Sequence, residues 1–188
     1  MGKISSFNFI TLNGFVNGIG GDISWHRHGT EENQYAADSL KSNNTLLFGR
    51  RTYEMMAAYW PTPMALQNDP VVAHGMNNAN KIVISKSLKK TDPVVIGWAN
   101  TDVINHDPLN EIKRLKESSI NDITLLGSGS ILTLLAENGL IDEFLIMIDP
   151  VAIGTGTPIF HEIKHTVNLK LTNVKSFSSG VILLTYIP

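Results

Sequence analysis

Polar and apolar residues alternate from Met1 to Asn8, and Ile4 to Leu12 is rich in Phe, Ile and Thr, which predicts a first β-strand. Asn13-Gly14 marks a turn, and Gly18 with Gly20-Gly21 predicts a loop. A helical pattern begins at Thr30. Thr30 suits an N-cap, Glu31 and Glu32 suit the first turn, and the helix is expected to reach about Lys41 with Tyr35, Ala36 and Leu40 inward. Thr45 to Phe48 is a short apolar strand that ends at Gly49-Arg50-Arg51-Thr52, followed by a helix carrying Tyr53, Met56 and Ala57. Pro61, Pro63 and Pro70 then predict a long loop.

Lys81 to Ser85 reads as a strand, and the stretch from Val94 to Asn105 as one or two short ones. Pro108 opens a helix whose apolar stripe is Leu109, Ile112 and Leu115. Ile123 to Leu126 is a buried-type strand. It runs through Gly127-Ser128-Gly129-Ser130 into a helix with Ile131, Leu134 and Leu135, which Asn138-Gly139 stops. Glu143 to Val151 is a further strand, and Leu169 to Val174 with Gly180 to Ile187 form a terminal hairpin. Strands alternating with helices predict a single α/β domain over residues 1–188, with a mostly parallel central sheet and an antiparallel C-terminal strand.

Composition narrows the function. The 188 residues are 43% hydrophobic and 17% charged, as in an ordinary globular protein, and the net charge of -2 with no basic run argues against a nucleic-acid surface. The absence of cysteine excludes disulfides, thiol catalysis and cysteine-bound zinc. Neither a signal-peptide pattern at Met1 to Asn8 nor an apolar run of membrane-spanning length is present, so a cytoplasmic location is expected.

Chemistry concentrates where strands run into helices, because ligands of open parallel sheets bind beyond the carboxyl ends of the strands. Gly127, Ser128, Gly129 and Ser130 offer bare backbone, hydroxyls and a helix N-terminus to a phosphate, although a plain turn with a serine cap uses the same residues. Gly49, Arg50, Arg51 and Thr52 put two guanidinium groups at a helix start. Cations there oppose the helix dipole, and a bound polyanion would offset that conflict. Ser85 and Lys86 add a hydroxyl and a cation at a third strand end. Asp22, Glu31 and Glu32 are the acids nearest the first loop and helix, where capping also explains the glutamates. Trp25 serves equally as a cover for a flat ligand or as a buried anchor. His161-Glu162-Ile163-Lys164-His165 matches the zinc-protease pattern. Pro158 before it and a β-type run after it leave little room for the helix that zinc would need, so no metal is expected and a polar connector is the simpler reading.

Thr11-Leu12-Asn13-Gly14-Phe15-Val16 with Gly21-Asp22-Ile23-Ser24-Trp25 resembles the first strand and mobile loop of the dihydrofolate-reductase-like superfamily. Phe48 to Glu54 and Leu125 to Ser130 are similar to its two cofactor turns. Asp142 to Val151 and Gly154 to Phe160 resemble the late strand and glycine turn of the riboflavin-biosynthesis reductase branch. The resemblance spans nearly the whole chain. It implies a three-layer dihydrofolate-reductase-like fold, a homodimer and NADPH as hydride donor. The phosphates and adenosine end would meet Gly49, Arg50, Arg51 and Thr52, the 2′-phosphate Ser85 and Lys86, and the pyrophosphate Gly127 to Ser130.

The substrate implied is a small pterin- or pyrimidine-like heterocycle, such as one of the 5-amino-6-(5-phosphoribosylamino)uracil type. Asn13, Trp25 and Asn33 are expected beside it, with Asp22 and Glu32 as catalytic acids between the first loop and the helix near Thr30. Asn13 stands where this branch often has aspartate, and Asn33 stands near the acid position of true dihydrofolate reductases, so little activity on dihydrofolate is expected. The alternative is a non-catalytic nucleotide-binding protein that keeps the fold. Tyr59, Trp60, Met64 and Leu66 are a candidate apolar patch for the dimer.

Overall fold

The computed structural model describes residues 1–26, 29–40 and 43–188. Its strands are β1 (Ile4–Thr11), β2 (Phe15–Asn17), β3 (Thr45–Gly49), β4 (Lys81–Ile84), β5 (Thr101–Ile104), β6 (Ile123–Leu126), β7 (Glu143–Asp149), β8 (Thr157–Pro158), β9 (Lys170–Ser176) and β10 (Ile182–Ile187). Its helices are α1 (Thr30–Leu40), α2 (Arg50–Tyr59), α3 (Pro63–Asn68), α4 (Pro70–Asn78), α5 (Pro93–Ile96), α6 (Pro108–Ser118) and α7 (Gly129–Glu137). Eight strands form one sheet in the order β5-β4-β3-β6-β1-β7-β10-β9. The six from β5 to β7 run parallel, and β10 and β9 add antiparallel strands at one side. The α/β expectation with a mostly parallel sheet is therefore met.

Three layers follow from the alternation of side chains along each strand. Ile4, Leu47, Ile123, Leu125 and Phe144 face α6 and α7, which contribute Ile112, Leu132 and Leu135. Leu46, Phe48 and Val83 face the opposite way, toward Ala37 of α1, Tyr53 of α2 and Val72 and Met76 of α4. Tyr35 of α1 extends that second layer over Phe7, Phe9 and the terminal hairpin. The chain thus leaves β1 toward α1 on one face and leaves the neighbouring β6 toward α7 on the other. A crevice opens beyond the strand ends wherever adjacent strands diverge in this way.

One local expectation is corrected. Residues 61–70 are not one long loop, because Pro63 and Pro70 each begin a short helix at its first position and Thr62 Oγ1 caps α3 by accepting from Ala65 N at 3.2 Å. Proline has no N–H to lose there, so it starts a helix as readily as it breaks one. Pro93 does the same for α5, and β5 meets the expectation of one or two short strands between Val94 and Asn105. Expected helix residue Lys41 lies outside the described residues.

His161 to His165 are turn and irregular backbone. Glu137 accepts from the N–H groups of Lys164 and His165, and the Lys164 bond foremost holds its carboxyl below the usual range. Among the described residues, no three His, Asp or Glu side chains gather as metal ligands. Lys81, at the start of β4, is buried beneath α4 and gives its ammonium protons to the carbonyls of Met76, Asn77 and Ala79. Burial pushes its pKa down to about 8.

Candidate active site at the carboxyl ends of the strands

The β3–α2 and β6–α7 turns interlock. Gly49 N donates to Ser128 Oγ at 2.6 Å, and Ser128 Oγ donates in turn to Thr52 Oγ1 at 3.1 Å. A Cβ placed on Gly49 would lie 2.6 Å from Ser128 Oγ, and one on Gly127 would lie 3.2 Å from Thr52 Cγ2. Only glycine lets the two turns approach this closely. Gly127 and Ser128 both have φ of +60°, a region that costs serine more than glycine. Ser128 accepts that conformation, and its hydroxyl bridges the turns instead of capping its own helix. Neither α2 nor α7 has a side-chain N-cap, and open space adjoins Gly129. A phosphate suits such a place, because helix N-termini present N–H groups and a positive dipole end.

The flanking groups differ in how firmly they are held. Arg50 is exposed and pairs with Glu54 one turn on, at 3.2 Å. Arg51 and Ser130 are exposed on the same rim. Ser85 is buried at the end of β4, where its Oγ accepts from Ser87 N and Leu88 N, while Lys86 projects into solvent. The ten residues expected to meet a cofactor therefore lie at the ends of three adjacent strands, β4, β3 and β6.

The residues expected near substrate are more dispersed. Asp22 and Trp25 line an open cleft of about 380 Å³ with Gly18, Ile153 and Thr155. Asp22 receives Ser24 N at 2.9 Å and Ser24 Oγ at 3.1 Å, and these bonds hold its carboxyl below the usual range. Trp25 Nε1 donates to Asp22 O, which folds the loop on itself. Asn13 bridges the first loop to the segment after β7, donating to Ile153 O at 2.8 Å and accepting from Ile153 N at 3.3 Å. Glu32 and Asn33 do not line this cleft. Glu32 is buried and accepts from Ser179 Oγ in the β9–β10 turn, and Asn33 donates to Asp69 Oδ1 at 3.1 Å.

Two polar features of this region escaped the sequence reading. His26 Nδ1 lies 2.9 Å from Asp149 Oδ2 at the end of β7, with both side chains buried and the imidazole stacked on Phe9 at 3.8 Å. No spacing links residues 26 and 149, so only the fold reveals that pair. Asn8 lies inside β1, 2% exposed, and its Oδ1 has no hydrogen-bond partner. The alternation of β1 makes Asn8 look solvent-facing in the sequence, and only the strand's place inside the sheet shows its amide to be buried.

Comparison with known proteins accords with this architecture. Residues 3–183 match the model of the RibD C-terminal domain family. The uncharacterized protein YyaP of Bacillus subtilis (strain 168) is 31% identical over 177 residues, which span 94% of this chain and 90% of that protein. The crystal structure of a putative riboflavin biosynthesis protein from Shewanella sp. PV-4 superposes with a TM-score of 0.73 at 19% identity, covering 100% of this chain and 98% of the other. A pyrimidine reductase-like protein from Corynebacterium diphtheriae gives 0.70 at 15% identity, over 99% and 91% of the two chains. At those identities the solved structures speak for the fold, while the family model and the Bacillus relative establish kinship: the chain belongs to the RibD C-terminal domain family.

Proposed function

We propose that the protein is an NADPH-dependent reductase of a small pterin- or pyrimidine-like heterocycle, of which the 5-amino-6-(5-phosphoribosylamino)uracil type is one form. The observation that carries this reading is the interlocked joint of Gly49, Thr52, Gly127 and Ser128 at the ends of the adjacent strands β3 and β6. The residues suit a phosphate-bearing dinucleotide in four ways. The glycine backbone is bare, the first turns of α2 and α7 lack side-chain caps, Arg50, Arg51 and Lys86 bring positive charge, and a buried amide oxygen lies without a partner on Asn8. Gly49 to Thr52 and Gly127 to Ser130 would hold the phosphates, and Ser85 and Lys86 would lie toward the 2′-phosphate. When bound, NADPH supplies the hydride. The chain binds, orients and shields, as proteins do around such cofactors.

Proton delivery falls to the first-loop cleft. Its two serine bonds keep Asp22 ionised at neutral pH, so Asp22 serves better to orient a water than to give up its own proton. Glu32 reaches substrate only if its bond to Ser179 opens. The engagement of both acids favours a second reading, a nucleotide-binding protein without turnover. A homodimer in the cytoplasm belongs to the same proposal as the first reading. Met64 is 63% exposed and Leu66 36%, while Tyr59 and Trp60 are half-buried, so only part of the expected patch is free. Leu171, Val174 and Ile182 on the outer hairpin offer a further apolar surface for the second subunit. No described helix is long and apolar enough to cross a membrane.

One experiment separates these readings. NADPH binding is followed by fluorescence, and NADPH oxidation is then followed against a panel of pterins and pyrimidines. Binding with turnover supports the reductase, and binding with no turnover across the panel supports the second reading. Failure to bind NADPH overturns the reductase, and failure to bind any nucleotide overturns the second reading as well.

A further inference from the structure

Asn8 occupies a position that packing alone does not explain. β1 lies between β6 and β7, covered on both faces, where apolar side chains are the rule. Its register with β6 ends at Phe7 opposite Leu126, and Gly127 N then donates to Phe7 O as the chain turns toward α7. Its register with β7 continues to Thr11 opposite Asp149. Asn8 is therefore the first β1 residue past the end of β6. Alternation puts its side chain on the face of Ile4, the α7 side, level with Gly127. The pairing of β1 with β6 ends at that point.

A buried acceptor without a partner is costly, and native proteins keep few of them. A fully ionised phosphate has no proton to offer an amide oxygen, so the phosphates assigned to the neighbouring turns cannot satisfy Asn8 Oδ1. The group that meets it must carry an N–H or O–H. Resting on the NADPH reading above, we infer that Asn8 orients the nicotinamide ring, its Oδ1 accepting a hydrogen bond from the ring's carboxamide NH2. The joint of Gly49, Thr52 and Ser128 holds the charged middle of the cofactor, and Asn8 reads the one donor group on its reactive end. A carboxamide fixed in this way sets which face of the ring turns to the substrate.

The test compares binding of NADPH with that of its reduced 3-acetylpyridine analogue, in which a methyl ketone replaces the carboxamide and no N–H remains. Calorimetric titration of the wild type should show NADPH bound about tenfold more tightly, the usual value of one hydrogen bond that leaves a buried partner unsatisfied when lost. Asn8→Leu should bind the two alike and keep the wild-type affinity for 2′,5′-ADP, which lacks the nicotinamide. The side-chain amide resonances of Asn8 should shift on addition of NADPH and stay unmoved by 2′,5′-ADP, a reading that needs no variant to fold. Equal affinities in the wild type, an unaltered preference in Asn8→Leu, or unshifted Asn8 resonances overturn the inference and leave the NADPH reading standing. A wild type that binds neither NADPH nor 2′,5′-ADP overturns both.

Discussion

The two halves of the strand-end crevice use their polar groups in opposite ways. At the β3–β6 half, Ser128 ties the two turns together and leaves backbone N–H groups, two arginines and a lysine facing outward. At the β1–β7 half, nearly every polar side chain is spent on tertiary structure. Asn13 clasps Ile153, Glu32 holds Ser179, Asn33 holds Asp69, and His26 meets Asp149. A pair of interlocked glycine turns thus adjoins a region whose acids act as struts. The contrast means that a substitution in the first half acts on the turns themselves, and one in the second half acts on the packing of distant segments.

The sharpest way to break the comparison is at Gly49. A valine there would press its Cβ on Ser128 Oγ and lie 3.1 Å from Ile131 Cγ1, forcing both turns apart. Overpacking of this kind costs about 1–3 kcal/mol, and we expect the upper half of that range together with loss of measurable NADPH binding. Gly154, in the first-loop cleft, has open space where a Cβ would go, so Gly154→Ala should change stability by less than about 0.5 kcal/mol. Urea denaturation of the two variants beside NADPH titration makes the comparison. Equal losses in both variants would remove the distinction between the two halves.

Next in size is Arg51→Ala. Among the described residues no ion pair holds Arg51, whereas Arg50 is engaged with Glu54. Removing a charge-assisted bond to phosphate should weaken NADPH about tenfold. NADH should weaken less, and equal weakening of both would place Arg51 away from the 2′-phosphate. The same titration on Arg50→Ala should show a smaller change, since that guanidinium already has a partner.

The struts are tested by a double-mutant cycle on Glu32→Gln and Ser179→Ala. The two side chains meet across 147 residues of sequence, joining α1 to the terminal hairpin. A buried pair in direct contact should couple by about 1 kcal/mol in unfolding free energy. NADPH affinity should remain at the wild-type value in both single variants. Coupling near zero, or a large change in NADPH affinity, would make Glu32 part of the ligand site and not a strut.

That distance along the chain also decides how much was legible beforehand. The α/β layering follows from local periodicity, and the glycine turns from residues adjacent in sequence, so Gly49 to Thr52 and Gly127 to Ser130 are legible as turns at strand ends. Their mutual contact through Ser128 is not, because nothing in either segment names the other. The prolines misled for a physical reason: a ring that breaks a helix interior also opens a helix, and the sequence of Pro63 and Pro70 does not say which. The bond of Glu32 to Ser179 is not legible in the sequence, because its partner is a serine in a hairpin turn 147 residues away. Asn8 does not stand out in a strand that alternates polar and apolar residues, and only the strand's central place in the sheet makes its buried amide anomalous.

The smallest expected effect separates the halves by pH. Glu31 is exposed at the start of α1. Bonds from the Ser178 side chain and then its backbone N–H, the latter at 3.3 Å, hold the carboxyl below the usual glutamate range. A carboxyl whose pKa is lower in the folded than in the unfolded chain adds stability above its unfolded pKa, about 4.3, and loses it as pH falls through the folded value. The difference in melting temperature between wild type and Glu31→Gln should therefore be full at pH 7, shrink below about pH 4 and approach zero in stronger acid. Arg51→Ala, on the other half, should show no such convergence over the same range, because arginine stays protonated throughout. Thermal unfolding followed by circular dichroism at stepped pH measures both series. A constant Glu31→Gln difference down to the acid limit would mean that the glutamate contributes through its shape and helix-start position, and that its charge does not clasp the Ser178 turn.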